Sequence, residues 1–340
     1  MAGNRHRPHR KRPRRKRGAR PEIMTKRQHE KYDALIARSR QLAPVRTAVA
    51  HPCDETSLSA AVEAAGLGLI VPILVAPLAR VRKLAAGLHL DIESLELVDV
   101  PHSHAAAAKA VELVRAGKAD ALMKGSLHTD ELMAEVLRTD TGLRTARRVS
   151  HVFVMDVPMY PKPLFITDAA INIFPSLEDK VDIAQNAIDL AHALGIATPK
   201  VAVLSALETV TSKIPSTIDA AALCKMAERG QIRGALVDGP LAFDNAISPE
   251  AARMKEIRSS VAGDADILLV PDLEAGNMLA KELTFLANAD AAGIVLGARV
   301  PIILTSRADN LRARMASCAV AVLYAHATRT TTMPIGTLTA

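Results

Sequence analysis

The sequence has 340 residues, of which 49% are hydrophobic, 23% charged and 2% aromatic, with three cysteines and a formal net charge of +7. A chain of this length buries about three quarters of its unfolded surface, which excludes a small disulfide scaffold. Its cysteines form no CxxC pair, which excludes a zinc knuckle and predicts a reducing, cytoplasmic location. No apolar run reaches the roughly 18 residues of a transmembrane helix, which predicts a soluble protein without a membrane span or secretory signal.

Residues 1–23 carry the positive charge of the chain. They contain ten basic residues and one acidic residue, a balance of +9 that leaves −2 for the other 317 residues. The self-repelling charge and the lack of apolar periodicity predict a disordered tail. The tail is either an arm that binds nucleic acid by neutralising phosphates, or a dispensable extension ahead of Met24. No aromatic residue lies among the basic ones to stack on bases, which favours the second interpretation.

From Arg46 onward, short β-branched apolar runs alternate with longer segments of helical periodicity. This pattern predicts an α/β fold with a largely parallel sheet. The predicted strands are Thr47–Ala50, Val71–Val75, Leu95–Val100, Ala119–Met123, Val152–Val157, Leu164–Thr167, Val201–Ser205, Gly234–Val237, Ile267–Val270, Gly293–Leu296 and Pro301–Thr305. Because eleven strands exceed a typical single sheet, two domains are predicted, with the break at residues 139–149.

Two local signals refine this pattern. A proline-rich hexapeptide separates the predicted strands 152–157 and 164–167, which we interpret as an antiparallel hairpin that packs on a partner domain or subunit. Ser176, with Asp179 three residues later, predicts a capping box at the start of a helix.

The turn after the strand 119–123 is a candidate site for an anion. Lys124 supplies positive charge, Gly125 permits a ligand to approach the backbone, and Ser126 can donate a hydrogen bond. The turn is not a Walker A loop, because the upstream glycine is missing. His128 is interpreted as a hydrogen-bonding residue at a helix start rather than as a base.

A basic group follows at the proposed domain break. Arg144, Arg147 and Arg148 lie within five residues and precede Ser150. Water, carboxylates or a polyphosphate ligand could offset their mutual repulsion. A cluster of this kind is more often a solvated surface than a ligand site.

Polar residues collect at three strand ends in the second half of the chain. Asp168 and Asn172 follow one strand, Asp238 follows another, and Asp272 follows a third, with Gly276 and Asn277 just beyond it. Polar residues gathered in this way describe a cleft. The three aspartates could ligate a metal, but no spacing enforces such a site and no histidine joins them, so no metal is predicted.

The strongest local signal is an apolar strand that ends in polar residues and runs directly into a helix. Ligands in open α/β sheets bind beyond the carboxyl ends of strands, and a helix N-terminus attracts an anion. Ser306 and Arg307 stand where a phosphate would bind, and Asp309 is close enough in sequence to accept a proton. Equally, Ser306 and Asp309 could cap the helix while Arg307 remains a solvated charge.

Five motifs occur in a fixed order along residues 30 to 325. They are Ala119 through Met123-Lys124-Gly125, Gly142-Leu143-Arg144-Thr145 with Arg147-Arg148-Val149-Ser150-His151, Asp238-Gly239-Pro240-Leu241-Ala242-Phe243-Asp244, Pro271-Asp272-Leu273-Glu274-Ala275-Gly276-Asn277, and Thr305-Ser306-Arg307-Ala308-Asp309. Together they resemble the phosphate acetyl/butyryltransferases. The chain is especially similar to the acyltransferase half of bifunctional enoyl-CoA hydratase/phosphate acetyltransferases, without the hydratase half.

The resemblance implies transfer of a short acyl group, acetyl to butyryl, between coenzyme A and inorganic phosphate. The partners are then acyl-CoA and phosphate, coenzyme A is a substrate, and no cofactor or metal is needed. The implied fold has two α/β domains of the isocitrate/isopropylmalate dehydrogenase type around a cleft. Residues 24–148 plus 299–340 would form one domain and residues 149–298 the other. A homo-oligomer is also implied.

The resemblance also implies roles for individual residues. Arg307 and Ser306 would stabilise phosphate and the carbonyl oxygen. Acetyl-type members place the base at the position of Ala313, so the assignment of thiol deprotonation to Asp309 is our own inference from this sequence. Those members also carry an arginine where this chain has Met133, for which Lys124 and Arg144 could compensate as in a butyryl-like branch. The expected substrate-binding residues are Lys124, Gly125, Ser126, Arg144, Ser150, Asp168, Asn172, Asp272, Gly276 and Asn277.

Two other functions fit parts of the sequence. The first is a metal- and NAD-dependent dehydrogenase of the same fold, although neither Gly66 with Gly68 nor Gly234 with Gly239 completes the GxGxxG fingerprint. The second is a nucleic-acid-associated protein that acts through residues 1–23.

Overall fold

The computed structural model describes residues 30–305 and 309–332, so the predicted tail at 1–23 lies outside the described residues. The strands, β1 to β11 in chain order, are Val45–Ala50, Ile70–Ala76, Glu96–Asp99, Ala121–Lys124, Ser150–Asp156, Leu164–Thr167, Lys200–Leu204, Leu236–Leu241, Ile267–Leu269, Asp290–Leu296 and Ile302–Ile303. The helices, α1 to α11, are Glu30–Ser39, Glu55–Gly66, Leu78–Gly87, Ser103–Arg115, Thr129–Val136, Leu177–Ala193, Pro215–Glu228, Phe243–Ile247, Pro249–Met254, Leu273–Phe285 and Leu311–Thr332.

Each predicted strand overlaps an observed one, and the mixed α/β class with a mostly parallel sheet is confirmed. The strands follow the order β3-β2-β1-β4-β11-β10-β5-β6-β9-β7-β8. Only the pairs β11–β10, β10–β5 and β5–β6 within the described ranges are antiparallel. The hairpin prediction for β5 and β6 is therefore confirmed.

All eleven described strands belong to one sheet. The prediction that eleven strands would exceed a single sheet is therefore wrong. The sheet has two parallel parts, and the antiparallel pairs around β10 and β5 join these parts into one continuous sheet. The division into 24–148 plus 299–340 and 149–298 stays a prediction. The late strand β11 pairs with β4, which brings the end of the chain back to the first half of the sheet.

Local chemistry accounts for the helix starts that the sequence predicts. Ser176 caps α6, its hydroxyl accepts a hydrogen bond from the Asp179 amide, and the Asp179 carboxylate accepts one from the Ser176 amide. This reciprocal pairing satisfies two N–H groups that the first helical turn leaves without partners. The capping box is confirmed. Among residues 30–305 and 309–332, no helix is long and apolar enough to span a membrane.

One row of mutually paired residues crosses the middle of the sheet, and strands that run in opposite directions have their carboxyl ends at this row. Strands β4 and β11 run one way, whereas β6 and β9 run the other way. The paired residues of the row are Met123, Ile303, Ile294, Val152, Thr167 and Leu269. Since β4 and β6 each end within one residue of this row, the turns that follow them converge over the middle of the sheet.

Candidate active site

A cavity of about 340 Å³ lies where these turns converge. The turn after β4 forms one side, the loop after β6 another, and the end of β11 a third. The lining residues are Lys124, Leu127, His128, Thr129, His151, Phe153, Ala170, Leu304 and Thr305. The position agrees with the general rule that ligands of α/β sheets bind beyond the carboxyl ends of strands. We refer to it as the central cavity.

Lys124 places a buried positive charge at the central cavity. Its side chain belongs to the last residue of β4 and the residue is only 6% exposed. The ammonium group donates to the carbonyl oxygens of Gly125 at 3.2 Å and Leu127 at 3.3 Å, which fixes its direction. A positive charge that lines a cavity raises the local concentration of anions there. The arrangement therefore favours an anionic ligand in the cavity.

Ser126 ties the turn to the end of β1. Its hydroxyl donates to the His51 carbonyl oxygen at 2.9 Å, lies 3.0 Å from His51 Nδ1 and accepts from the Cys53 amide at 3.3 Å. These contacts give Ser126 a part in holding the turn. Its contact with substrate stays a prediction.

Gly125 is in close contact with backbone. A Cβ atom at this position would lie 2.5 Å from the His51 carbonyl oxygen and also too close to the Ala50 carbonyl oxygen. Neither atom can move without disturbing the β1–β4 pairing. The glycine is required by packing, because it allows the turn to pass directly over the end of β1.

We expect Gly125→Ala to destabilise the protein by about 1–3 kcal/mol, the usual cost of forcing extra atoms into a packed site. The midpoint of urea unfolding measures the loss. Gly87→Ala is the matched control, because a Cβ at Gly87, the last residue of α3, meets nothing within 4 Å. Equal stability of the two variants would show that the turn shifts freely.

His151 is a cavity residue that the sequence analysis did not assign to the site. The residue is 1% exposed on β5, and its ring packs edge-to-face on Phe153 with centroids 4.3 Å apart. Burial lowers the pKa of His151 to about 3, so the ring is neutral near neutral pH. Nδ1 is buried without a hydrogen-bond partner among the residues that the structure describes. A buried unpaired nitrogen is uncommon, and together with its place in the cavity wall it marks His151 as a candidate site residue.

The loop after β6 is shaped by a network of buried polar groups. The Asp168 carboxylate accepts from the amides of Ala170 at 2.9 Å and Ile171 at 3.0 Å, and from the Asn172 side chain at 2.6 Å. Burial raises the pKa of Asp168 while these hydrogen bonds lower it. The side-chain oxygen of Asn172, Oδ1, in turn accepts from Arg148 Nε at 2.7 Å. Asp168 and Asn172 thus position Ala170 at the central cavity.

Arg144 and Ser150 do not line the central cavity. Arg144 is exposed and lines a second cavity of about 440 Å³, together with Arg147, Arg148 and Asn172. The Ser150 hydroxyl is fully buried and accepts from the Asn186 side chain at 2.8 Å, which packs α6 on β5.

The three predicted residues at the start of α10 pack that helix against the loop after β6. Asp272 caps the helix by accepting from the Ala275 amide at 2.9 Å. A Cβ on Gly276 would lie 2.9 Å from the Asp168 carbonyl oxygen, and the Asn277 side chain donates to Ala169 at 3.1 Å. Their direct contact with substrate stays a prediction.

At the strand-to-helix junction after β11, the structure describes Thr305 on one side and Asp309 on the other. Ser306 and Arg307 lie outside the described residues, and α11 begins at Leu311, later than the sequence suggested. Asp309 lines a third cavity of about 520 Å³ with Asn277, Asn310 and Ala313. Phe153 lines both this cavity and the central one, so the two cavities are adjacent and Asp309 lies in the cavity next to the central one.

The structure does not assemble a metal site from the acidic strand ends. Within 30–305 and 309–332, no three His, Cys, Asp or Glu side chains are grouped to hold a metal ion, and Asp168, Asp238 and Asp272 are thus not brought together for that purpose.

Comparisons with known proteins agree with this geometry. A family model described as "Phosphate acetyl/butaryl transferase" matches residues 101–322. The chain is 71% identical to a phosphate acetyltransferase of Rhizobium meliloti over 88% of this chain and 94% of that protein. It is 44% identical to a phosphate butyryltransferase of Clostridium acetobutylicum, over 86% and 96% of the two chains.

A solved structure supports the same assignment. The branched-chain phosphotransacylase of Enterococcus faecalis is 32% identical, with a TM-score of 0.74 over 83% of this chain and 99% of its own. The match to the family model, at residues 101–322, contains the residues that line the three cavities. The chain belongs to the phosphate acetyl/butyryltransferase family.

Proposed function

We propose that this protein moves a short acyl group, acetyl to butyryl, between coenzyme A and inorganic phosphate. The observation that carries the proposal is the buried Lys124 ammonium at the central cavity, close to the end of β11, in a chain of this family. A buried cation with fixed direction suits an acyl phosphate, whose phosphoryl group is anionic in both substrate and product. Metal- and NAD-dependent oxidation is the alternative that the assay below separates.

The proposed chemistry is direct attack of a thiolate on the acyl phosphate in a ternary complex. Asp309 takes the proton from the thiol of coenzyme A, and the sulfur then attacks the acyl carbonyl carbon. Arg307 and Ser306 stabilise the negative charge that develops on the carbonyl oxygen. The carbon–oxygen bond to phosphate breaks, and phosphate leaves next to Lys124. The acyl group changes carrier without gain or loss of electrons, so the reaction needs no redox cofactor.

The wider arrangement follows from the same proposal. We infer the two-domain architecture of the isocitrate/isopropylmalate dehydrogenase type, with the acyl transfer site in the cleft, and a cytoplasmic homo-oligomer. The likeness to the acyltransferase half of bifunctional hydratase/transferase proteins belongs to this proposal as well. The convergence of turns from both halves of the sheet supports a cleft at the central cavity.

A coenzyme A release assay tests the function. The purified protein is given acetyl-CoA, propionyl-CoA or butyryl-CoA with phosphate, in the presence of EDTA, and free thiol is measured. We expect phosphate-dependent release of coenzyme A that the chelator does not abolish, and the rates will rank the acyl chains. Release that does not depend on phosphate would refute acyl transfer to phosphate, whereas NAD reduction on addition of metal would favour the dehydrogenase.

A further inference from the structure

Arg314 is an almost fully buried guanidinium beside the strand-to-helix junction. It lies in the first turns of α11 and is 3% exposed. Nη1 donates to the Thr305 hydroxyl at 3.2 Å, and Nε donates to the Asp309 carbonyl oxygen at 3.2 Å. One side chain therefore binds both residues that flank positions 306–308.

The charges around Arg314 are those of the junction itself. Burial lowers the pKa of the guanidinium, and the carboxylates of Asp309 and Asp54 oppose that change. Cys318 lies one helical turn below on α11 and is fully buried, with a pKa that burial raises to about 12, so it is a neutral neighbour. Among the described residues, the negative charges that act on the guanidinium are the Asp309 carboxylate, which lies just before α11, and the Asp54 carboxylate at the start of α2.

A buried guanidinium is not needed to fill this position. Apolar side chains of similar volume often stabilise a protein as well as a buried charge does, because they avoid the cost of desolvation. The planar fork of arginine has a property that an apolar side chain lacks, since its N–H groups bind two acceptors at a fixed separation. Here the two acceptors are the last described residue before the junction and the first described residue after it.

We propose that Arg314 is a positioning residue for acyl transfer, which holds Thr305 and Asp309 at the separation that the reaction requires. The inference rests on the proposed function, in which Asp309 accepts the thiol proton. Thr305 lines the central cavity and Asp309 lines the third cavity, so the guanidinium also fixes the two cavities relative to each other.

The test compares kcat, KM and stability in matched variants. Arg314→Met removes both hydrogen bonds at similar volume and is expected to lower kcat about 30- to 100-fold, with KM for acyl-CoA changed less than threefold, because misplacement by about 1 Å costs that much. Arg314→Lys keeps the charge without the fork and is expected to recover only part of kcat. The control is Arg312→Met, two residues away on the same helix, whose guanidinium pairs with Asp33 at the surface.

A second variant keeps the test decisive if Arg314→Met does not fold. Thr305→Val removes one acceptor without altering α11 and is expected to lower kcat several-fold, with little further loss when combined with Arg314→Lys. Folded variants of Arg314 with kcat within threefold of wild type would overturn the inference, as would additive losses in the double variant. Failure of the proposed function would be recognised separately, because the wild-type protein would then release no coenzyme A.

Discussion

Arg307→Ala is expected to lower kcat/KM for acyl transfer by at least about 100-fold, the loss typical of removing one donor to a developing oxyanion. The expectation depends on the junction between Thr305 and Asp309, whose flanks line the central and third cavities. In the proposed reaction the Arg307 guanidinium stabilises negative charge on the substrate whose phosphoryl group binds beside Lys124. Steady-state release of coenzyme A, at varied phosphate and acyl-CoA, measures the effect.

Arg307→Lys is the matched control for this experiment. It retains the positive charge but cannot bind phosphate with two parallel N–H groups, so an intermediate rate is expected. Near-normal turnover of Arg307→Ala, in a protein that unfolds at the wild-type urea concentration, would remove Arg307 from the mechanism and would leave Lys124 as the cation that binds phosphate.

Acidification is expected to destabilise the protein through His151. The pKa of this buried ring is about 3 in the folded state, against an ordinary value near 6.5 in the unfolded chain. Between these values the unfolded chain binds a proton that the native protein does not bind. The free energy of unfolding therefore falls as pH decreases from about 6.5 to about 3, by up to about 1.4 kcal/mol per pH unit and by about 5 kcal/mol in all.

The comparison of wild type with His151→Leu isolates this effect. Urea unfolding at several pH values between 4 and 7 gives the free energy of each protein, and the carboxylates common to both cancel in the difference. We expect wild type to lose stability relative to the variant as pH falls. Replacement of His104, whose side chain is 72% exposed, is the control. We expect this variant to lose unfolding free energy on acidification as wild type does. Parallel curves for wild type and His151→Leu would show that the ring is protonated in the native state.

Sequence periodicity predicted the elements well because each depends on local chemistry. The strands are short apolar runs, and the Ser176 capping box is complete within four residues. The register could not be predicted in this way, since the row from Met123 to Leu269 joins strands that are far apart in the chain. The direction of each half, and hence the meeting of β4 and β6 ends, depends on those long-range pairings.

The same limit applies to the candidate site. Polar residues at strand ends predicted a ligand site, but a carboxylate there can bind a ligand or satisfy backbone amides equally well. In the structure the Asp168 and Asp272 carboxylates accept from nearby amides, and Ser126 binds the end of β1. The burial of His151 could not be predicted from its neighbours in sequence, because it depends on packing against Gly293, 142 positions later.

Seven residue pairs join β5 and β10, and this pairing limits how far the two parts of the sheet can separate. This stretch of ladder joins the two parallel halves of the sheet directly beneath the central cavity, and a wide separation of the halves would break its hydrogen bonds. We therefore expect a bulky thioester to enter and leave past the loops above the sheet, and we expect the floor of the cavity to keep its shape during turnover.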